Sequence, residues 1–273
     1  MIHYRVSLDV PVQLLLKVSN LLEKHRAELG TRNGTRALTC WQQAKFILAW
    51  FRDKPDLRRL GEGFGISQST AYRYKDEGVA ILAREAPSLE EALGKAAEQG
   101  FPYVILDGTL ISSDRCSDKK NGRKGTEIDK WYSGKAHEHA GLVQGLTAPS
   151  GVPLWASDAL PGSTHDITAA RLLVLPGLRP WLAVFPCLAD SGYEAAGCGV
   201  LVPVKKPRGN ELDPDAKCRN TLLRGLRYQG ERGFAVLKER WAALQHVTVS
   251  PTQIGDIVKA ALVLTQFEHK MIS

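Results

Sequence analysis

Tyr103-Val104-Ile105-Leu106-Asp107-Gly108-Thr109 is the stretch from which the fold of this chain can be worked out. Its first four residues are apolar or aromatic, which predicts a buried strand, and we expect this strand to end at the carboxylate. An isolated buried charge costs too much free energy to be kept, so Asp107 must be paired, hydrogen-bonded or bound to a metal ion. Asp107 is therefore the first candidate functional residue.

Further strands are predicted downstream by apolar runs at 139–147, 152–157, 184–189 and 200–204. Helices are predicted through 167–173 and at about 220–241. The polar segment 112–135, rich in Lys and Arg, is interpreted as an exposed loop. Three consecutive strands, a helix, an acid-ended strand, another strand and a long helix is the element order of a ribonuclease H-like fold. The sequence thus predicts an α/β domain with a mixed sheet and flanking helices.

Residues 1–98 are predicted to form a small all-α domain ahead of the ribonuclease H-like domain at 99–273. The pattern at about 39–82 resembles the helix-turn-helix of DNA-binding domains, with glycine in the turn and serine as the N-cap of the second helix. On that helix, four polar side chains would face the major groove of DNA: Gln68, Ser69, Tyr72 and Arg73. A helical hairpin that only packs on its neighbour is the alternative.

Composition limits the class of protein. The 273 residues carry a formal net charge of +7, which favours a polyanionic partner. The five cysteines are scattered without a C-x-x-C pair, so neither a disulfide framework nor a zinc knuckle is indicated. No window approaches the roughly 18 consecutive apolar residues of a membrane span. We expect a soluble, cytoplasmic protein with no membrane partner.

Two further acids are expected to join Asp107. In a ribonuclease H-like sheet the acid-ended strand lies beside the first strand, so Asp190 would face Asp107 across a few ångströms. Glu231 is the third candidate, on the long helix, with Arg227 four residues before it and Lys238 seven after it on one helical face. Carboxylate oxygens are the ligands that Mg²⁺ prefers, and a pair of such ions can stabilise the attacking and leaving oxygens of phosphoryl transfer.

Five short motifs follow one another along a resemblance that runs from about residue 37 to 245. They are Leu106-Asp107-Gly108-Thr109, Tyr132-Ser133-Gly134-Lys135 with His137 close behind, Leu160-Pro161-Gly162-Ser163-Thr164-His165-Asp166, Ala189-Asp190-Ser191-Gly192-Tyr193, and Glu231 followed by Lys238-Glu239-Arg240-Trp241. In this order the chain resembles the DDE transposases of the insertion-sequence-five group, which are related to Harbinger-type transposases.

The resemblance implies that Asp107, Asp190 and Glu231 are the catalytic residues and hold two Mg²⁺ ions, with Mn²⁺ able to substitute. It implies DNA contacts from four basic side chains: Lys135, His137, Arg227 and Lys238. Gly108 is expected to leave room for DNA to approach. Arg224 departs from the pattern, because related transposases have a Tyr at this position, and this leaves the handling of the end base open.

The implied activity is that of a transposase acting on double-stranded DNA, both element ends and target. It would bind terminal inverted repeats, cleave the ends by metal-dependent hydrolysis and transfer the 3′-hydroxyl strand into target DNA. Pairing two ends implies a homo-oligomer assembled on DNA. Two other functions stay open: a catalytically inactive DNA-binding regulator, and a metal-dependent nuclease that cuts without joining strands.

Several residues have competing interpretations. Asp166 competes for the second catalytic position, although its place at a helix start favours N-terminal capping. His137 and His139 could bind zinc, but alternation along a strand explains their spacing as well. Trp131 lies in the basic segment and could stack on a base. The basic runs at 115–135 and 205–232 are either solvated faces or a phosphate-binding track.

Overall fold

The computed structural model describes residues 7–114, 116, 118–121, 126–197, 199–207, 209 and 211–269, with the side chain of Glu231 left out. The chain divides into two compact units. The first comprises the residues up to Ala86, with Lys238–Gln245 and the segment from Asp256 onward, and the second comprises Pro87–Leu237 and His246–Gly255. The units are not two continuous segments, because the last helix packs with the N-terminal helices and the helix before residue 99 packs with the sheet.

Nine α-helices are found in the described residues: α1 (Val12–Glu28), α2 (Cys40–Asp53), α3 (Leu57–Gly63), α4 (Gln68–Arg84), α5 (Leu89–Glu98), α6 (Asp166–Leu173), α7 (Leu175–Leu178), α8 (Pro214–Arg240) and α9 (Ile254–Glu268). The same part of the chain contains nine strands: β1 (Val104–Ser112), β2 (Lys119–Asn121), β3 (Glu127–Asp129), β4 (Tyr132–Ser133), β5 (Glu138–Thr147), β6 (Pro153–Ala156), β7 (Leu160–Pro161), β8 (Cys187–Leu188) and β9 (Val200–Leu201). Within the described residues, no helix is both long and apolar enough to cross a membrane.

Helix starts in the first unit follow their capping residues. The Thr-x-x-Gln spacing of Thr39 and Gln42 predicts a capping box at α2. The structure confirms it, since the Gln42 N–H donates to Thr39 Oγ1 at 3.2 Å and the Thr39 N–H donates to Gln42 Oε1 at 3.0 Å. Asp9, just before the apolar run of α1, would be predicted from its residue type to be the N-cap, and this is wrong. Pro11 holds that position, and Asp9 instead accepts a hydrogen bond from Arg240 Nη1 at 2.9 Å. A proline suits a helix start because its missing N–H would have no helical partner there.

A tight turn joins α3 to α4. Gly65 adopts the left-handed conformation with φ of 69°, as predicted, and Ser67 caps α4 by accepting from the Thr70 N–H at 3.3 Å. A Cβ atom on Gly61 would lie 3.1 Å from the Ile66 carbonyl oxygen and 3.2 Å from Ala71 Cβ. The sequence pattern therefore sets both the turn and the close approach of the two helices.

The core of the second unit is a mixed sheet with the strand order β4-β5-β1-β8-β9, in which β6 and β7 also pair with β5. β1 is antiparallel to β5 and parallel to β8, and β8 is parallel to β9. The predicted α/β class, a mixed sheet with flanking helices and a central first strand, is confirmed. This arrangement fits the ribonuclease H-like fold expected from the element order.

The first strand is longer than predicted. β1 continues past Asp107 to Ser112, because the residues from Gly108 onward pair with β5 in the register Gly108↔Gln144 to Ser112↔Ala140. Asp107 therefore lies inside a strand and not at its end. Backbone pairing on the β5 side overrides the break that the Asp-Gly sequence suggests.

Two other predicted boundaries are wrong. Residues 112–135 are not one loop, because β2 pairs with β3 and β4 pairs with β5. The strands predicted at 184–189 and 200–204 are each only two residues long in β8 and β9, since Val184 still belongs to the end of a 3₁₀ turn. Only the edge strand β9 and its neighbour β8 are this short, so the apolar runs extend beyond the residues that pair.

Candidate functional site

Parallel pairing brings two acids to neighbouring positions. The register of β1 and β8 aligns Val104 with Cys187 and Ile105 with Leu188. Asp107 lies two residues after Ile105 on β1, and Asp190 lies two residues after Leu188, just beyond β8. Because side chains alternate with period two, extending the register puts both acids on the same face of the sheet. The prediction that these acids approach each other follows directly from this register.

Asp107 is held in an environment that disfavours its charge. Burial, with smaller contributions from the carboxylates of Asp190 and Asp166, raises the pKa of Asp107 to about 6, although the Gly108 N–H and the Arg227 guanidinium oppose the rise. The Gly108 N–H donates to Asp107 Oδ1 at 2.9 Å. A carboxylate with a raised pKa in a cluster of like charges is typical of functional sites.

Asp190 is oriented by a local turn. It is the N-cap of a 3₁₀ turn at Ser191–Tyr193, and its Oδ1 accepts from the Gly192 N–H at 2.7 Å. The Asp-Ser-Gly-Tyr sequence thus fixes the carboxylate at the end of β8 through its own backbone.

Asp166 belongs to the same cluster, and its expected capping role is wrong. His165 is the N-cap of α6, and no side chain makes a cap hydrogen bond there. Asp166 is the first residue of the helix, and burial raises its pKa, with a further rise from Asp190 and opposing effects of Lys135 and the Gln144 amide. Its carboxylate therefore faces the other acids and not the end of its helix.

Gln144 and Tyr193 were missed by the sequence reasoning. Gln144 on β5 is 0% exposed and Tyr193 is 1% exposed. The Tyr193 hydroxyl donates to Gln144 Oε1 at 2.6 Å, and burial together with the charges of Asp166, Asp107 and Asp190 raises the pKa of Tyr193. A glutamine inside the apolar run Leu142-Val143-Gln144-Gly145-Leu146 was the signal that could have found the pair.

Gly108 was expected to leave room for DNA, and this prediction is wrong. The space beside its Cα atom is filled by side chains of the protein. A Cβ atom on Gly108 would lie 2.5 Å from Asp166 Oδ1, 2.7 Å from Gln144 Nε2 and 3.1 Å from Tyr193 Oη. Three polar atoms from three different elements fill the place that a side chain would take. Glycine is required here for the polar cluster and not for a ligand.

Basic side chains surround the acids. Lys135 is exposed and lowers the pKa of Asp166, and Arg227 on α8 is half-buried and lowers that of Asp107. His137 is exposed and has a left-handed φ of 57°, with its N–H bonded to the Ser133 carbonyl at 2.8 Å. Lys238 belongs to the first unit. The structure thus brings Lys135 and Arg227 to the carboxylate cluster.

The side chain of Glu231, the third predicted acid, lies outside the described part of the chain. Its backbone lies on α8, where a Cβ atom on the preceding Gly230 would come within 2.3 Å of Ile105 Cγ2. Helix α8 therefore packs directly on β1, two residues from Asp107 along the strand. Arg224 on the same helix is exposed.

The residues available for a metal ion are chemically suitable. Among the described side chains, no group of three or more His, Cys, Asp or Glu already forms a metal-binding cluster. The Asp190 carboxylate nevertheless raises the pKa values of both Asp107 and Asp166, and Arg227 and Lys135 oppose this rise without cancelling it. Hard carboxylate oxygens of this kind match Mg²⁺ and Mn²⁺, and a bound cation would relieve their repulsion.

Two side chains proposed for other ligands have structural partners. His139 Nε2 lies 3.5 Å from Asp129 Oδ2. The imidazole ring of His139 packs edge-on against the Tyr132 ring, with 5.4 Å between the ring centroids. Trp131 is only 3% exposed and donates its indole N–H to Asp118 Oδ2 at 3.2 Å, so it is not available to stack on a base. The basic segment is thus partly packed by its own residues.

The first unit presents a separate polar face. On α4, four side chains are exposed: Gln68, Ser69, Tyr72 and Arg73. Ala71 and Tyr74 alternate with them and are buried, as are Ile66 and Gly61 in the preceding turn and helix. This helix therefore keeps the predicted candidate residues together on one accessible face.

The fold and the site define a class of protein: mixed α/β domains that gather acidic side chains beside the central strand of a ribonuclease H-like sheet. The family model described as DDE superfamily endonuclease matches residues 106–266. The chain belongs to this family, which confirms the DDE assignment made from the sequence. Membership of the insertion-sequence-five group stays a prediction.

Two known proteins are similar to the chain. A probable transposase for insertion sequence element IS702 from Microchaete diplosiphon is 26% identical over 196 residues, and the match covers 68% of this chain but only 64% of that relative. The chain thus spans less than two thirds of the relative's length. A chain in a crystal structure of a pre-cleavage Mos1 transpososome has 12% sequence identity to this chain. The alignment covers 96% of this chain and 98% of that one, with a TM-score of 0.19. That score is too low to support a shared fold.

Proposed function

We propose that this chain is a DNA transposase that binds the terminal inverted repeats of an insertion sequence, cleaves the ends and transfers the 3′-hydroxyl strand into target DNA. The observation that carries the proposal is the register of β1 and β8, which puts Asp107 beside Asp190 with Lys135 and Arg227 near the acids. Acids that can hold divalent cations, flanked by bases that can hold phosphates, suit phosphodiester chemistry.

In this proposal Asp107, Asp190 and Glu231 hold two Mg²⁺ ions, for which Mn²⁺ can substitute. Such a pair of ions supplies Lewis-acid stabilisation of the attacking and leaving oxygens of a phosphodiester. The backbone N–H groups of Gly108 and Gly192 keep the two aspartates oriented. Arg227 and Lys135 would neutralise phosphate charge beside the acids, and Lys238 and His137 would extend these contacts along the DNA.

The first unit would bind the inverted repeats through a helix-turn-helix formed by α3 and α4. The exposed residues Gln68, Ser69, Tyr72 and Arg73 would enter the major groove, where polar side chains reach base edges. A homo-oligomer would assemble when two element ends are paired, and size measurement by light scattering with and without end DNA tests this. The protein would act on the nucleoid of a bacterial cell.

Replacement of Arg73 by Ala tests the DNA-binding face. If Arg73 contacts a base, affinity for the inverted repeat should fall by roughly 5- to 100-fold, corresponding to about 1–3 kcal/mol, and discrimination against altered repeats should relax at one position. Fluorescence anisotropy with cognate and scrambled DNA measures both effects. Arg84→Ala is the matched control, since Arg84 is exposed in the last turn of the same helix. Equal effects of the two changes would refute a specific role for Arg73.

The proposed activity is tested with the DNA that flanks the coding region. The wild-type protein is incubated with labelled end DNA and a target plasmid, with Mg²⁺ or with EDTA, and binding, cleavage and strand transfer are followed together. We expect Mg²⁺-dependent nicks at the repeat ends and joined products. Cleavage without joining would identify a nuclease, and binding without cleavage would identify an inactive regulator, so either result would overturn the transposase assignment.

A further inference from the structure

We infer that Asp166 is an additional divalent-cation ligand of the carboxylate site, held in position by the buried pair Gln144 and Tyr193. The inference rests on the proposed metal-dependent function and adds a fourth acid to the three assigned from the sequence. It concerns three side chains from α6, β5 and the turn after β8, which converge on the backbone of β1 at Gly108.

The two oxygens of Asp166 face the two strands that carry the other acids. Its Oδ1 lies 2.5 Å from the position of a Cβ atom on Gly108, directly after Asp107. Its Oδ2 lies 3.6 Å from the corresponding position on Gly192, where Asp190 Oδ1 lies at 2.9 Å. Asp166 therefore spans the gap between β1 and the turn that follows β8, with one oxygen on each side.

Gln144 provides an independent sign that a ligand group belongs here. Its side chain is 0% exposed, and its Nε2 makes no hydrogen bond of ordinary geometry to a described residue. That nitrogen lies 2.7 Å from the same Gly108 position that Asp166 Oδ1 approaches. The amide nevertheless lowers the pKa of Asp166, so this carboxylate is the group towards which the donor is directed. A buried donor whose pairing is so incomplete lowers stability, and its retention is explained if it holds the Asp166 carboxylate in place.

Tyr193 sets the direction of that amide. Its hydroxyl donates to Gln144 Oε1 at 2.6 Å, so the amide must present Nε2, its donor end, on the side away from Tyr193. Tyr193 Oη itself lies 3.1 Å from the Gly108 position. Tyr193 and Gln144 are thus positioning residues, and the group that they position is the Asp166 carboxylate.

A purely structural role does not account for Asp166. The N-cap of α6 is His165, and α6 has no side-chain cap hydrogen bond. The Lys135 ammonium acts on Asp166 from an exposed position. Three acids gathered beside one strand repel one another, and a divalent cation is the ligand that removes this repulsion.

The test measures binding of Mn²⁺ alone, by water proton relaxation and by thermal unfolding with and without Mn²⁺. Asp166→Asn should weaken Mn²⁺ binding at least 10-fold and raise the melting temperature of the metal-free protein, because a half-buried charge that is repelled by Asp190 is removed. Tyr193→Phe should weaken Mn²⁺ binding by a smaller factor of about 3 to 10, because the amide direction is no longer fixed. Asp215→Asn, an exposed acid in the first turn of α8, should change neither.

Asp107→Asn separates the two possible failures. If Asp107→Asn weakens Mn²⁺ binding while Asp166→Asn matches Asp215→Asn, this inference is wrong and the proposed function stands. If neither Asp107→Asn nor Asp166→Asn weakens Mn²⁺ binding, the proposed metal chemistry fails together with it. Tyr193→Phe removes only the hydroxyl group, so the ring and its packing are kept and the variant is expected to fold. Unchanged Mn²⁺ affinity in this variant would overturn the positioning role of Tyr193.

Discussion

Replacing Asp107 by Asn should abolish Mg²⁺-dependent cleavage of end DNA while DNA binding is retained. An amide cannot supply the charge of a carboxylate to a cation, and losing several kcal/mol of transition-state stabilisation slows a reaction by roughly 1,000-fold or more. DNA binding should persist, since removing a negative charge does not weaken attraction to phosphates. Cleavage is measured on labelled end DNA and binding by anisotropy on the same substrate. Retained cleavage would remove Asp107 from the proposed catalytic set.

The same substitution should stabilise the protein without metal, and the sign follows from the pKa of Asp107. Burial and neighbouring acids raise this pKa from 3.8 to about 6. Below about pH 3 the carboxyl is protonated in both the folded and the unfolded state, so the raised pKa of Asp107 does not change the free energy of unfolding there. As the pH rises through 6, the folded state is penalised for releasing the proton, and stability is lost.

Asp107→Asn removes this penalty. The free energy of unfolding of the variant should therefore exceed that of the wild type only slightly near pH 4, and above pH 6 by an amount on the order of 1–3 kcal/mol for a shift of this size. Urea unfolding in EDTA at pH 4.5 and pH 8 measures the difference. A stability gain that is the same at both pH values would show that the raised pKa of Asp107 is not its source.

The pairing of Asp107 with Asp190 could be predicted from the sequence because it depends on local patterns and strand order. Both acids directly follow apolar runs, and an element order of the ribonuclease H type requires the two strands to be neighbours. The turn at Gly65 and the capping box at Thr39 were predictable for the same reason, since each depends on residues only a few positions apart.

The role of Asp166 could not be read from the sequence, because it depends on contacts between distant segments. A helix-start aspartate is most simply interpreted as a cap, and only the fold shows it beside Gly108 and Gln144. The length of β1 was missed for a similar reason: pairing with β5, more than thirty residues away in the register Gly108↔Gln144, continues the strand beyond an Asp-Gly pair that would otherwise end it.

Gly108→Ala should reduce cleavage by about 100-fold with only a moderate loss of stability. The new Cβ atom would lie 2.5 Å from Asp166 Oδ1 and 2.7 Å from Gln144 Nε2, which is closer than van der Waals contact allows. Both atoms are ends of side chains, so they can move aside at a cost of about 1–3 kcal/mol, while a misplacement of about 1 Å in a catalytic site can cost 100-fold in rate. Gly225→Ala is the control, since Gly225 is exposed on α8 with open space around its Cβ position.

A double substitution shows whether this loss acts through Asp166. If Gly108→Ala slows cleavage by pushing Asp166 away, then adding it to Asp166→Asn should cost little beyond the single Asp166→Asn change, because the displaced carboxylate is already absent. Rates for the wild type, both single variants and the double variant complete the cycle under single-turnover conditions. Independent, multiplicative losses would mean instead that Gly108→Ala acts on Asp107 through the shared backbone, since the Gly108 N–H is the donor to Asp107 Oδ1.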